Sequence, residues 1–206
     1  SILNASAMTL DSDVVLVAEG ADGGEERVRA SGAVLSKLSS GFRGWLEFKQ
    51  LSAAPGSASE VRLLCDEGRL HPRAAVRFVL QVAHAVAAHE AVPSAEGLAF
   101  PDAQTPPLHV LLAACQIADC WDLMMVLPAA TRCVARAAEQ AIATDPKAAT
   151  ATLLRMLRFA SREREGEAAD TPASEWASLR ERTEEAIAHH VPLAWLPSAL
   201  RRLDVN

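Results

Sequence analysis

The chain of 206 residues has no tyrosine, and aromatic residues make up only 4% of it. Long hydrophobic runs are also missing, since the longest apolar segments, 108–117 and 123–130, are far shorter than the roughly 20 residues of a membrane helix. The first residues do not show the basic and then apolar pattern of a signal peptide. These absences predict a cytoplasmic or nuclear protein with no membrane partner, in which residues 1–10 are a flexible or tag-like N-terminus.

Basic residues are in short supply as well. Lys and Arg together number 20 against 26 Asp and Glu, which gives a formal net charge of -6, and no run of basic residues occurs. Proteins that bind nucleic acids use clustered Lys and Arg to neutralise phosphates. The charge pattern therefore predicts no nucleic-acid partner.

Motifs for catalysis or cofactor binding are also missing. The sequence contains no P-loop, no G-x-G-x-x-G and no G-x-S-x-G pattern. His84 and His89 are five residues apart, unlike the i, i+4 spacing that places two metal ligands on one helix face. We therefore expect no catalytic residue, no cofactor and no metal. The apolar spacing predicts buried thiols at Cys115, Cys120 and Cys133.

The first third of the chain contains strand and turn patterns. The apolar run 14–17 predicts a strand that is covered on both faces. Asp22-Gly23 is typical of a hairpin tip, and the alternation in 25–30 predicts a half-exposed second strand. Residues 60–65 return to strand-like alternation after a loop at 50–59.

Capping residues and apolar spacing predict helices in the rest of the chain. Ser31 and Ser39 are typical N-caps of two consecutive short helices, and Pro72 fits the first turn of a third. The buried side of this third helix is predicted to be Ala75, Val76, Val79, Leu80 and Ala83. After a long loop at 92–107, helices are predicted at 108–118, from about 123 to 144, and at 146–161, 174–190 and 197–203.

Several of these segments together resemble the BTB/POZ family. The strand–turn–strand opening is followed by the pattern Val34-Leu35-x-x-x-Ser39-x-x-Phe42, and Leu111–Asp119 with Trp121 is similar to the Ala-rich helix and aromatic of that family. The resemblance covers about residues 11–143. It implies a mostly helical α+β, BTB/POZ-like fold at 11–144, a small mixed sheet flanked by helices, followed by a BACK-like α-helical extension at 145–206.

The resemblance also implies particular contact residues. In the family the first strand and helices form a homodimer, so the implied interface contains Asp13, Val34, Leu35, Leu38 and Phe42. Where family members usually have a His and then a basic residue that pairs with the Asp matched by Asp13, this chain has Ser31-Gly32.

A second implied contact involves the loop that carries a hydrophobic-x-acid motif in members that recruit a cullin. The candidate contacts are Trp45, Phe48 and Leu51, but the loop that matches this motif, residues 49–59, contains no acid before Glu60. Trp45 and Trp121 are expected in the core. For Trp176 and Trp195 on the C-terminal helices, both a core and a partner-facing role stay open.

The function implied by the resemblance is a non-catalytic protein–protein interaction module that self-associates and recruits a partner. One interpretation is a substrate adaptor of a cullin-based ubiquitin ligase. Another is a structural scaffold or regulatory subunit without a ligase, with the helical extension holding an unknown protein. A third interpretation, a small helical enzyme domain, requires a deep polar pocket lined by His84 or Cys120.

Overall fold

The computed structural model describes residues 14–50, 59–65, 68–89, 105–162 and 175–192. These residues form a mostly helical α+β structure with a small mixed sheet. The strands are β1 (Val14–Glu19), β2 (Glu25–Ala30) and β3 (Ser59–Arg62), and the helices are α1 (Gly32–Leu38), α2 (Ser40–Gln50), α3 (Arg73–His89), α4 (Leu108–Cys120), α5 (Val126–Thr144), α6 (Pro146–Ala160) and α7 (Glu175–His190).

The sheet has the strand order β2-β1-β3. β2 is antiparallel to β1 through the predicted hairpin, where Gly23 adopts φ 78, and β3 is parallel to β1. The parallel pair requires the chain to cross over between β1 and β3, and α1 and α2 lie in this connection. The sheet is therefore mixed, as the resemblance implied.

The predicted covering of both faces of β1 is confirmed, but charged side chains contribute to one of them. Val17 is 0% exposed, although its partners in the two neighbouring strands are Arg27 and Arg62. Arg27 is ion-paired with Glu60 at 3.4 Å and Arg62 with Glu25, so both pairs bridge β2 and β3 across β1. The aliphatic stems of arginine can cover apolar surface while the guanidinium stays in water.

One hydrophobic core joins the sheet to the helices. It contains residues of β1, of α3 and α4, and of the later helices α5, α6 and α7. All five residues predicted for the buried side of α3 are buried, and Phe78 and Val82 are buried too, so α3 is covered over a wider arc than its pattern suggested. The predicted boundary at 144/145 stays a prediction, and the core continues across it.

The prediction that Cys120 is buried is wrong. Cys115 and Cys133 are buried, whereas Cys120, the last residue of α4, is exposed. Five helical residues turn the side chain by about 140° from the face that Cys115 occupies. None of the helices in the described parts of the chain is long and apolar enough to cross a bilayer.

Candidate interaction surface

α1 presents part of the implied dimer interface to the outside. The Ser31 hydroxyl accepts a hydrogen bond from the Val34 amide at 3.3 Å, which caps the helix as predicted. Val34 and Leu38, one helical turn apart, are half-buried and pack against the edge of the core. Leu35 is only 2% exposed and belongs to the core of the single chain.

α2 carries an aromatic cluster that joins it to the end of α4. The ring of Phe42 lies 5.7 Å from that of Trp45 and 5.3 Å from that of Trp121, and the two tryptophans meet edge to face at 6.4 Å. Phe42 is 2% exposed, whereas both tryptophans are half-buried. Phe42 therefore anchors α2, and the tryptophans leave part of their rings accessible.

The most exposed large apolar side chain of the described residues follows on α2. Phe48 is 68% exposed and lies three residues after Trp45, so both side chains project from neighbouring positions of the helix. Gly44 lies between Gly41 and Phe48 on this side of α2. A Cβ atom added at Gly44 would meet no atom within 4 Å other than those of its chain neighbours and of the helix backbone, so this side of the helix is open. We call Val34, Leu38, Trp45 and Phe48 the α1–α2 surface. Asp13 and Leu51, the other implied contacts, lie outside the described residues.

Two serine side chains fix the start of α2 against the connection between α4 and α5. The buried Ser39 hydroxyl accepts a hydrogen bond from the Phe42 amide at 2.8 Å and donates one to the Trp121 carbonyl. The exposed Ser40 hydroxyl donates to the Asp122 carboxylate at 2.7 Å, and Asp122 has a positive φ of 53. These bonds hold the α1–α2 surface on a fixed part of the fold. The sequence predicted the Ser39 cap but not the bonds to residues 121 and 122.

A groove of about 510 Å³ lies elsewhere, between the hairpin and the first turns of α3 and α4. Its lining includes Arg73, Arg77, Phe78 and Pro107, but neither His84 nor Cys120. Within the described residues, no three or more His, Cys, Asp or Glu side chains are arranged to hold a metal ion.

The two buried cysteine thiols have raised pKa values, whereas a nucleophilic cysteine has a lowered one. Burial, helped by the Asp119 carboxylate, raises the pKa of the Cys115 thiol to about 12. Burial also raises the pKa of Cys133, against the effect of the Arg132 guanidinium. A reactive cysteine requires a lowered pKa because the thiolate is the nucleophile. Cys115 and Cys133 therefore pack as small apolar groups.

The partner-facing alternative for Trp176 is wrong. Trp176 is 2% exposed, and its ring packs edge to face on Phe159 with the centroids 5.4 Å apart. Trp195 lies outside the described residues.

Comparison with protein-family models, with curated proteins and with solved structures found no match to this chain.

Proposed function

We propose that this chain is a non-catalytic protein–protein interaction module with a BTB/POZ-like fold and a BACK-like helical extension. The observation that carries the proposal is the α1–α2 surface, in which the 68% exposed Phe48 stands beside half-buried apolar side chains. An exposed large apolar side chain within an apolar cluster is a common feature of protein-binding surfaces.

The order of the elements supports the fold part of the proposal. A hairpin, two short helices, a third strand parallel to the first, and then a helical remainder follow one another in the order that the resemblance implied. Ser39 and Phe42, two residues of the pattern on which the resemblance depends, are joined by the hydrogen bond that caps α2.

We place self-association on α1 and partner recruitment on α2. Because a two-fold interface uses the same patch from both copies, Val34 and Leu38 of one copy would face the equivalent patch of the other. Leu35 and Phe42 are buried in the single chain, so they do not form the surface of this patch. Phe48, which is exposed, and Trp45, which is half-buried, would contact a different protein, and the site of action would be the cytoplasm or the nucleus.

The partner class is tested by a pull-down with a cullin N-terminal domain. A substrate adaptor retains the cullin, and Phe48→Ser and Leu51→Ala each weaken the retention. Glu47→Ala, an exposed position on the same helix, is the matched control and retains binding. Failure of the wild-type chain to bind the cullin removes the ligase function and leaves the scaffold or regulatory subunit.

The self-association part is tested separately by sedimentation. At physiological salt, Val34→Asp combined with Leu38→Asp is expected to give a monomer at micromolar concentration, and Lys37→Ala, an exposed position on α1, retains the oligomer. A wild-type chain that stays monomeric at micromolar concentration contradicts this part of the proposal, whatever the result with the cullin.

A further inference from the structure

β2 forms an edge of the sheet. In the strand order β2-β1-β3, the described residues place no strand beyond β2. An open edge presents unpaired backbone N–H and C=O groups that another strand can use. This edge is separate from the α1–α2 surface, so the inference below is independent of the proposed function.

The hydrogen bonds around the hairpin show which residues of β2 point outward. The Gly20 amide donates to the Gly24 carbonyl at 2.7 Å, and the Val17 carbonyl accepts from the Leu63 amide on the β3 side at 3.3 Å. Bonded and non-bonded pairs alternate in an antiparallel ladder. The even residues of β2 therefore bond to β1, and the backbone groups of Glu25, Arg27 and Arg29 point to the open edge.

When two copies of β2 run antiparallel, the charges of these three outward residues in one copy complement those in the other. Glu25 begins β2, whereas Arg29 stands near its end, is exposed and has no ion-pair partner among the described residues. Under a two-fold axis at Arg27, Glu25 of each copy faces Arg29 of the other. Opposite charges directly across two strands stabilise the pairing, and like charges destabilise it.

We propose that β2 pairs with β2 of a second copy in antiparallel orientation, with the two-fold axis at Arg27. The outward backbone groups of the two β2 strands then bond to one another, and each bonded pair exchanges two hydrogen bonds. The two three-stranded sheets thereby become one continuous sheet of six strands. Glu25 is already paired with Arg62 and bridges it to Arg29 of the second copy. Arg27 faces its own equivalent, but each Arg27 has Glu60 as a partner.

Charge and backbone pairing together favour this register over its neighbours. An axis at Val28 sets Arg27 against Arg29 and is repulsive. An axis at Glu26 sets Glu25 against Arg27, but uses only two of the three outward positions for backbone pairing. The register centred on Arg27 is the one that uses the whole strand and also gives Arg29 a carboxylate. Because the contact is narrow and polar, its association is weak and sensitive to salt.

The test is a charge exchange measured by sedimentation equilibrium at low ionic strength. All chains carry Val34→Asp and Leu38→Asp, which removes the proposed α1 contact. Arg29→Glu alone and Glu25→Arg alone each set like charges opposite one another and are expected to weaken self-association about tenfold or more. An equimolar mixture of these two chains restores attraction at both pairs and is expected to associate at least as strongly as the parent.

A backbone variant separates the edge contact from the side chains. Proline at position 27 removes an N–H that points to the open edge, so Arg27→Pro blocks pairing without removing a bond to β1. Arg27→Ala is the matched control, because it also loses the ion pair with Glu60 but retains the N–H. Circular dichroism melting verifies that each chain is folded.

Four results would overturn the pairing: a parent chain that stays monomeric at the highest soluble concentration, unchanged association of Arg29→Glu, no recovery in the mixture, or equal association of Arg27→Pro and Arg27→Ala. Each leaves the proposed α1 contact to be judged by its own variants in the unmodified chain.

Discussion

α2 and α7 both carry aromatic residues that sequence patterns can place at a partner contact, but the fold treats them in opposite ways. On α2, Phe48 is 68% exposed and Trp45 is half-buried. On α7, Trp176 is 2% exposed and packs on Phe159 of α6. An aromatic residue on a helix therefore indicates a binding surface only when the neighbouring elements leave it uncovered.

The neighbours of each helix explain the difference. α7 lies against both α5 and α6, so its apolar side is enclosed by two long helices. The start of α2 is fixed by Ser39 and Ser40 to the α4–α5 connection, and its later turns carry Phe48 outward. We infer that α7 serves the stability of the fold and that the α1–α2 surface serves binding.

The largest expected effect is on α7. Trp176→Ala removes a buried ring and its contact with Phe159, so it is expected to lower the free energy of unfolding by about 3–5 kcal/mol. Chemical denaturation measures this loss. A loss below about 1 kcal/mol would show that Trp176 is not part of the core, and the contrast with α2 would fail.

The next effect concerns the anchor of α2. Ser39→Ala removes a buried hydroxyl that caps the Phe42 amide and bonds to the Trp121 carbonyl, with an expected loss of about 1–2 kcal/mol in the free energy of unfolding. Ser40→Ala removes only an exposed bond to Asp122, so its expected loss is about 0.5 kcal/mol. Equal losses in thermal or urea unfolding would contradict the assignment of Ser39 as the anchor.

A pH-dependent effect probes α4, which lies between α2 and α7 in the sequence. Because the pKa of the Cys115 thiol is raised from 9.0 to about 12, the folded chain keeps a proton that the unfolded chain loses as the pH rises above 9.0. The free energy of unfolding should therefore fall with rising pH in this range, by up to about 1.4 kcal/mol per pH unit from this thiol.

Urea unfolding of the wild type and of Cys115→Ala at several alkaline pH values measures this contribution. The variant is expected to show the shallower decline, with its cavity cost appearing as a constant offset. Tyrosine and lysine are the other residue types that ordinarily titrate at alkaline pH. The chain suits the measurement because it has no tyrosine and only three lysines, Lys37, Lys49 and Lys147. Identical slopes for the two proteins would place Cys115 in water and contradict its burial.

The smallest expected effect on stability is at Phe48. Phe48→Ser replaces a largely exposed ring, so the free energy of unfolding should change by about 0.5 kcal/mol or less. Its effect should appear in partner binding instead, which reverses the pattern expected for Trp176→Ala. A large loss of stability in denaturation experiments would assign Phe48 to the core.

Local signals explain how much of the fold could be predicted from the sequence. Ser31 and Asp145 are caps whose partners lie within three residues, and Gly23 needs only its own positive φ. The helix predictions in 108–161 matched the structure within a few residues because the apolar spacing is regular there. Fold class and most helix limits follow from such short-range information.

The features that could not be predicted depend on residues far apart in the chain. The bonds of Ser39 and Ser40 reach residues 82 positions away, and no local pattern indicates them. The covering of Val17 by ion pairs depends on the register of three strands. For the candidate site, the helix positions of Val34 and Leu38 were predicted, but the division between the accessible Phe48 and the buried Leu35 required the packed structure.

The most direct test of the central claim, that the α1–α2 surface is an interface, is the solution mass of the unmodified chain beside that of the Val34→Asp, Leu38→Asp variant. Both masses are measured by sedimentation equilibrium at physiological salt, because salt at this concentration weakens the charge-dependent contact at the β2 edge. If this surface is an interface, the wild-type mass is twice 21.9 kDa at micromolar concentration and the variant mass is 21.9 kDa. A wild-type mass of 21.9 kDa, or a variant that dimerises as well as the wild type, would contradict this claim.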